Sequence, residues 1–337
     1  MSFRLFLLCL FITAPALAAT GAGRDHMATF ENEIKIHYTV SGEGEPTLVF
    51  IHGWACDASV WDKQVEELGR SMRCIAIDLP GHGLSDKPNI DYSMSMYAHA
   101  IDAVLHDAGV PSAIIVGHSN GVPVVRQFYR EFPDEVRALV LVEGSLRPIF
   151  DDASLQKFVN SLSGPNYLEQ TAKMVDGMTA PIKDEKLRDK IHKIMLATPQ
   201  HVAVSEFMAT GDPMLWKPDK INVPVLMILA KQPIWTAEYE QFAHNLAPRL
   251  DYKMWEHVSH FLMMEKPHEF NETLKTWLQT QGFLDTGNCE VWPPRQDRWN
   301  GLSEHVVESM AAIRPQTLAT RSEIAFHRSP AIVSILR

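Results

Sequence analysis

Short, nearly uninterrupted apolar runs recur along the chain, each followed by a stretch of helical spacing, and no other feature restricts the fold as much. Residues 47–51, 74–77, 113–116, 136–142 and 224–229 have the length of strands and offer apolar side chains to both faces. Strands of that kind belong inside a parallel sheet covered on both sides. Residues 59–68, 94–108, 122–132, 238–246 and 267–279 carry apolar positions at helical intervals and supply the cover. Residues 34–40 alternate apolar and polar, closed by Ser41-Gly42-Glu43-Gly44, which reads as a strand and a hairpin tip, and 252–255 reads as the last strand. The expectation is an α/β fold: a mostly parallel central sheet, helices on both faces, and right-handed crossovers.

The rhythm stops between residues 145 and 222, where no strand pattern occurs and helical stretches are punctuated by Gly164-Pro165 and Thr198-Pro199. So long an excursion is too patterned for a loop, and it is expected to be a helical lid inserted into a core formed by 27–144 and 223–283. Residues 284–337 show no sheet pattern beyond a short amphipathic stretch at 302–313, and a poorly ordered tail is expected there. At the other end, Arg4, the apolar run 5–12 and Ala16-Leu17-Ala18 have the form of a signal peptide over residues 1–18, cleaved near Ala18. The run is too short to span a membrane, so the expected location is secreted or periplasmic.

The formal charge of −10, more negative still once Arg4 is removed, argues against nucleic acid or an anionic membrane as partner. Cys56, Cys74 and Cys289 remain after the leader, an odd number at scattered spacing that forms neither a disulfide framework nor a zinc site. A Cys56–Cys74 bond is conceivable after export, and buried thiols are the plainer expectation.

Gly117-His118-Ser119-Asn120-Gly121 stands directly after one expected strand and directly before a helix. In that setting G-x-S-x-G describes a sharp strand-to-helix turn holding a serine at the carboxyl edge of the sheet. His52-Gly53-Trp54 follows the strand ending at Ile51, and backbone amides of Trp54 and Asn120 are the candidates for an oxyanion hole. A serine needs a base, and His260, between the last strand and the closing helix, is the candidate among 15 histidines. His257 is its competitor, and His118 is expected to point elsewhere.

With Asp78-Leu79-Pro80-Gly81-His82-Gly83 and with His260-Phe261 followed by Glu265-Lys266-Pro267, these motifs occur in the order found in the α/β-hydrolase superfamily, which residues 27–283 resemble. The resemblance implies that Ser119 is the nucleophile, His260 the base, and Asp78–Gly83 a structural loop. The superfamily usually carries its acid after the strand equivalent to 224–229, but here that loop reads Ala230-Lys231-Gln232-Pro233-Ile234-Trp235, without a carboxylate. Glu238 is the nearest. Some members carry the acid after the preceding strand instead, which nominates Glu143 to orient the imidazole.

Aromatic and methionine side chains in the lid, among them Phe158, Met174, Met178, Met195, Phe207 and Trp216, suit an adaptable apolar pocket and a small-molecule substrate with an apolar portion. The leading expectation is hydrolysis of a carboxylic ester or lactone through an acyl-enzyme, without metal or organic cofactor. The same residues also serve carbon–carbon bond hydrolysis, acyl transfer and cofactor-free lyase or oxygenase chemistry, and a non-catalytic binding protein of this fold is the reading from outside enzymology. Oligomeric state has no signature in the sequence.

Overall fold

Apolar side chains on both faces leave the central runs only one stable setting, the interior of a sheet, and the computed structural model places them there. It describes residues 23–31 and 33–285. The strands are β1 (Arg24–Phe30), β2 (Ile34–Ser41), β3 (Thr47–Ile51), β4 (Arg73–Ile77), β5 (Ala113–His118), β6 (Val136–Val142), β7 (Val225–Ala230) and β8 (Leu250–Trp255). They lie in the order β1-β2-β4-β3-β5-β6-β7-β8. The pairings β1–β2 and β2–β4 are antiparallel, and every pairing from β4 to β8 is parallel. Every residue of β3, β5 and β7 is buried.

Successive side chains of a strand face opposite sides, so the sheet divides the core in two. Val49, Ile51 and Ile115 pack with Tyr97 and Ile101 of α2 (Met94–Asp107), Val125 and Phe128 of α3 (Gly121–Glu131), and Leu246 of α8 (Ala237–Leu246). Leu48, Phe50, Ile114 and Val116 pack with Val65 of α1 (Asp62–Leu68) and with Phe270 and Leu274 of α10 (Pro267–Thr280). Side-chain caps start several of these helices: Ser93 accepts from the Met96 amide and Thr236 from the Tyr239 amide.

Between β6 and β7 the chain forms α4 (Asp152–Leu162), α5 (Tyr167–Thr179), α6 (Glu185–Leu196) and α7 (Gln200–Ala209). In this insertion α4 packs on α5 and α7, and α5 on α6. A single-turn helix, α9 (Leu262–Glu265), precedes α10.

Three local expectations are corrected. Ser41–Gly44 is not a hairpin tip, because β2 pairs with β4 and not with β3. The fully buried β3 takes a central position with parallel neighbours on each side, which leaves β2 to pair on the outer edge of β4. Strand β1 was not anticipated: all but two of its residues are exposed, so it has no apolar run to betray it. The expected helix at 59–68 opens as a 3₁₀ turn over Ala58–Trp61, and the α-helix starts at Asp62.

Cys56 and Cys74 are both buried free thiols. Leu284, expected to begin the tail, packs on the core instead. The leader at 1–18 and the stretch from 286 onward, including 302–313, lie outside the described residues. Among the described residues no helix is long and apolar enough to cross a membrane.

Candidate active site

Ser119 occupies the turn between β5 and α3 with φ of 52°, a left-handed conformation that a residue with a side chain seldom adopts. The surroundings over-determine it. Its amide donates to the Val142 carbonyl at the end of β6 (2.8 Å), and its carbonyl accepts from Val122 (3.0 Å). Glycines on either side allow the close approach: a Cβ on Gly121 would lie 2.6 Å from the His52 carbonyl oxygen, and one on Gly53 would lie 2.8 Å from Ser119 Cβ. The loop after β3 thus touches the turn of Ser119 directly, and Trp54, Ser119 and Asn120 line one cavity.

His260 follows β8 in a loop anchored by Ser259, whose amide donates to the Glu265 carboxylate at 2.7 Å. Its Nε2 lies 2.8 Å from Ser119 Oγ and its Nδ1 lies 3.1 Å from Glu143 Oε2. A carboxylate can only accept, so the imidazole proton sits on Nδ1 and Nε2 presents a lone pair to the serine hydroxyl. Glu143 is 3% exposed, sits immediately after β6 and is itself left-handed, with φ of 51°. Its other oxygen accepts from the amide of Ala230 at the end of β7, and its own amide donates to Ile228 (3.0 Å). Adjacent strand ends therefore carry the serine and the glutamate, and the structure brings Ser119, His260 and Glu143 together.

The competitors are elsewhere. The His257 side chain is 94% exposed beside Glu256, and Glu238 is exposed in the first turn of α8. His118 is buried and its Nε2 donates to the backbone carbonyl of His260 (2.9 Å), so it holds the loop that carries His260. Burial, together with the neighbouring His260 ring, pushes the His118 pKa well below its ordinary value and keeps it neutral.

The Asp78–Gly83 loop is a hydrogen-bonding hub. Asp78 accepts from the Ala58 and Leu84 amides (2.7 and 2.9 Å) and from His37 Nδ1 (2.8 Å). Burial raises its pKa, but the bonds from His37, Leu84 and Ala58 outweigh that and bring it to about 2. His52 faces the same loop, accepting from the Leu79 amide at 3.1 Å, and burial lowers its pKa to about 4.

Sequence reasoning missed Glu206 on α7. It is 1% exposed, Oε1 accepts from Asn120 Nδ2 at 2.7 Å, and Oε2 lies 3.1 Å from His82 Nε2. Burial pushes its pKa up, while the bond and charge of His82 and the bond from Asn120 prevail and hold it below the usual carboxylate value. A lone acid among the apolar residues of α7 was the only available signal.

The cavity above Ser119 has a volume of about 480 Å³. Met174, Met178, Met195, Phe207 and Trp216 from the insertion line it, whereas Met208 is exposed. A larger hollow of about 790 Å³ beside β2 contains neither Ser119 nor His260. Among the described residues no group of three or more His, Cys, Asp or Glu is placed to hold a metal ion.

Residues 46–205 match the family model described as the alpha/beta hydrolase fold. The chain has the α/β-hydrolase fold. It is 26% identical over 305 residues to bifunctional epoxide hydrolase 2 of Mus musculus, covering 75% of the chain but only 55% of that protein. It is also 26% identical over 252 residues to the pimeloyl-[acyl-carrier protein] methyl ester esterase of Nitrosomonas europaea, covering 70% of the chain and 96% of that protein. The solved structure of Est816, described as an N-acyl homoserine lactone degrading enzyme, superposes with a TM-score of 0.62 at 25% identity, covering 74% of this chain and 99% of that one.

Proposed function

We propose that this hydrolase cleaves a carboxylic ester or lactone through an acyl-enzyme, with Ser119 as nucleophile, His260 as general base and Glu143 as the acid that orients it. One observation carries the reading: Ser119 Oγ, both His260 nitrogens and the Glu143 carboxylate form a continuous hydrogen-bonded line, at 2.8 and 3.1 Å. Ser119 attacks the carbonyl carbon as its proton passes to His260 Nε2. Glu143 stabilises the imidazolium that results. The negative oxygen is received by the backbone amides of Trp54 and Asn120. His260 then protonates the leaving alkoxide, and a water activated by the same nitrogen releases the acid.

The superfamily's epoxide hydrolases and dehalogenases use an aspartate at the nucleophile turn. Serine at that position favours acyl chemistry here, in spite of the similarity to the mouse epoxide hydrolase. Glu143, beside His260 Nδ1, supplies the carboxylate that the loop after β7 lacks, which supports the catalytic reading over a non-catalytic one. The insertion of α4–α7 acts as a lid, and its methionines and aromatics accept the apolar portion of a small substrate; the cavity falls in the usual range for such ligands, about 300–1,000 Å³. Export through the leader at residues 1–18 is part of the same proposal, with the mature enzyme acting outside the cytoplasm.

Ser119→Ala tests the chemistry. Hydrolysis of p-nitrophenyl butyrate should fall by a factor of about 10⁴ or more with the melting temperature little changed. Retained turnover in a correctly folded variant rules the serine mechanism out.

A further inference from the structure

The two residues whose amides receive the oxyanion in the proposed mechanism share a partner outside the core. Trp54 comes from the loop after β3 and Asn120 from the nucleophile turn, yet both side chains bond to the same turn of α7. The Trp54 indole Nε1 donates to the Ala203 carbonyl at 2.8 Å, and Asn120 Nδ2 donates to Glu206 Oε1 at 2.7 Å. Residues three apart on a helix lie on one face, so a single turn of α7 presents both acceptors to the two loops.

That face is built as a fixed wall and not as a moving flap. Ala203 and Glu206 are 0% and 1% exposed. The helix and the turn before it are tied to the core from several directions. Thr198 Oγ1 donates to the Ala55 carbonyl (3.0 Å), Ser205 Oγ accepts from the Tyr92 amide (2.8 Å), and the Trp54 ring packs edge-on against Phe207 at 5.3 Å. Glu206 is held in turn by His82, whose Nδ1 donates to the Pro80 carbonyl (3.1 Å) while Nε2 bonds the carboxylate (3.1 Å). Both carboxylate oxygens are thus engaged, one by His82 and one by Asn120.

An oxyanion site works only when its donors are aimed in advance at the place where charge develops. Each of the two peptide planes is held at its carbonyl, Ser119 by the Val122 amide (3.0 Å) and Gly53 by the Cys56 amide (3.1 Å), and α7 adds a hold on the side chain that follows each plane. We propose that α7 braces the oxyanion hole, with Glu206 as a positioning residue that sets Asn120 while the Ala203 carbonyl sets Trp54. The proposal rests on the serine mechanism above and adds a role for one turn of the inserted helices. Opening of the cavity is then confined to α4–α6, since moving α7 would dismantle the oxyanion donors.

Glu206→Leu removes the acceptor and Glu206→Gln keeps an amide oxygen for Asn120. The Leu variant should lower kcat on p-nitrophenyl butyrate by about tenfold to a hundredfold, with KM within about twofold. Inhibition by phenylboronic acid, whose tetrahedral serine adduct places a negative oxygen in the hole, should weaken by a similar factor. The Gln variant should recover to within about threefold of wild type in both readouts. A residue that merely stabilises the lid would lower the melting temperature without separating kcat from KM or shifting the boronate constant, and that pattern overturns the brace. If the Leu variant fails to fold, Trp54→Phe decides. It deletes the indole donor to Ala203 and keeps an aromatic ring against Phe207; unaltered kcat and boronate affinity overturn the proposal, while a matching loss in both with KM within about twofold upholds it. A wild-type enzyme that neither hydrolyses the ester nor forms a fluorophosphonate adduct overturns the serine mechanism, and the brace with it. An active wild type with indifferent Glu206 variants overturns the brace alone.

Discussion

Replacing Glu143 by Gln leaves the size of the side chain unchanged and alters only what its two terminal atoms can do. In the native site both oxygens accept: one from the Ala230 amide, the other from His260 Nδ1. Glutamine offers one acceptor and one NH₂ group for the same two donors. If the NH₂ faces Ala230, two donors meet in a buried place, at a cost of about 1–3 kcal/mol for the unsatisfied groups. If it faces His260, the ring must take the other tautomer, with its proton on Nε2, and Nε2 then has no lone pair to take the Ser119 proton. Either arrangement also loses the negative charge that stabilises the imidazolium. The corresponding acid-to-amide change in a Ser-His-Asp site costs about 10⁴ in kcat. Here a fall of about 10³ to 10⁴ is expected, or roughly 4–5.5 kcal/mol of transition-state stabilisation. Initial rates on p-nitrophenyl butyrate at saturating substrate give kcat, and a thermal melt verifies the fold. A folded Glu143→Gln enzyme within tenfold of wild type would refute the assignment of Glu143 as the acid.

Asp78 links pH to stability through its hydrogen-bonding hub. Its folded pKa, about 2, lies below the ordinary 3.8, so its contribution is complete above about 3.8 and is lost as pH falls through about 2. Relative to wild type, Asp78→Asn should be destabilised by about 2 kcal/mol at pH 7, with the gap closing between pH 4 and 2; urea midpoints that differ by a constant amount across that range would contradict it. Gly121→Ala places a Cβ 2.6 and 2.9 Å from two backbone oxygens on the β3 side, so about 1–3 kcal/mol of stability should be lost along with most of the activity. An alanine variant with unchanged melting temperature and rate would show that the approach is not tight.

Much of this arrangement was legible in the chain because its signals are local. Burial on both faces makes β3, β5 and β7 visible as continuous apolar runs, and a strand-to-helix turn around Ser119 needs only five residues to describe. Glu143 was nominated by the resemblance, since some members carry the acid after the strand equivalent to β6; neighbouring parallel strands finish side by side at one edge of the sheet, which lets it reach the same imidazole. What failed to show was whatever depends on contacts between distant segments. Exposed β1 has no pattern of its own, and the pairing of β2 with β4 follows from competition for central places, which the Ser41–Gly44 turn does not record. Glu206 reaches Asn120 across 86 positions, and His118 reaches the His260 carbonyl across 142, with no spacing rule to connect either pair.

In the proposed mechanism, an acid at the end of β6 relieves the segment between β7 and α8 of catalytic duty. Gln232, Ile234 and Trp235 from that segment line the cavity nonetheless. Under that mechanism, sequence change there reshapes the cavity wall without touching Ser119, His260 or Glu143, which places selectivity and turnover on separate strand ends. Libraries aimed at a new leaving group or acyl chain should therefore begin with 232–235, where diversity carries the least risk to the chemistry.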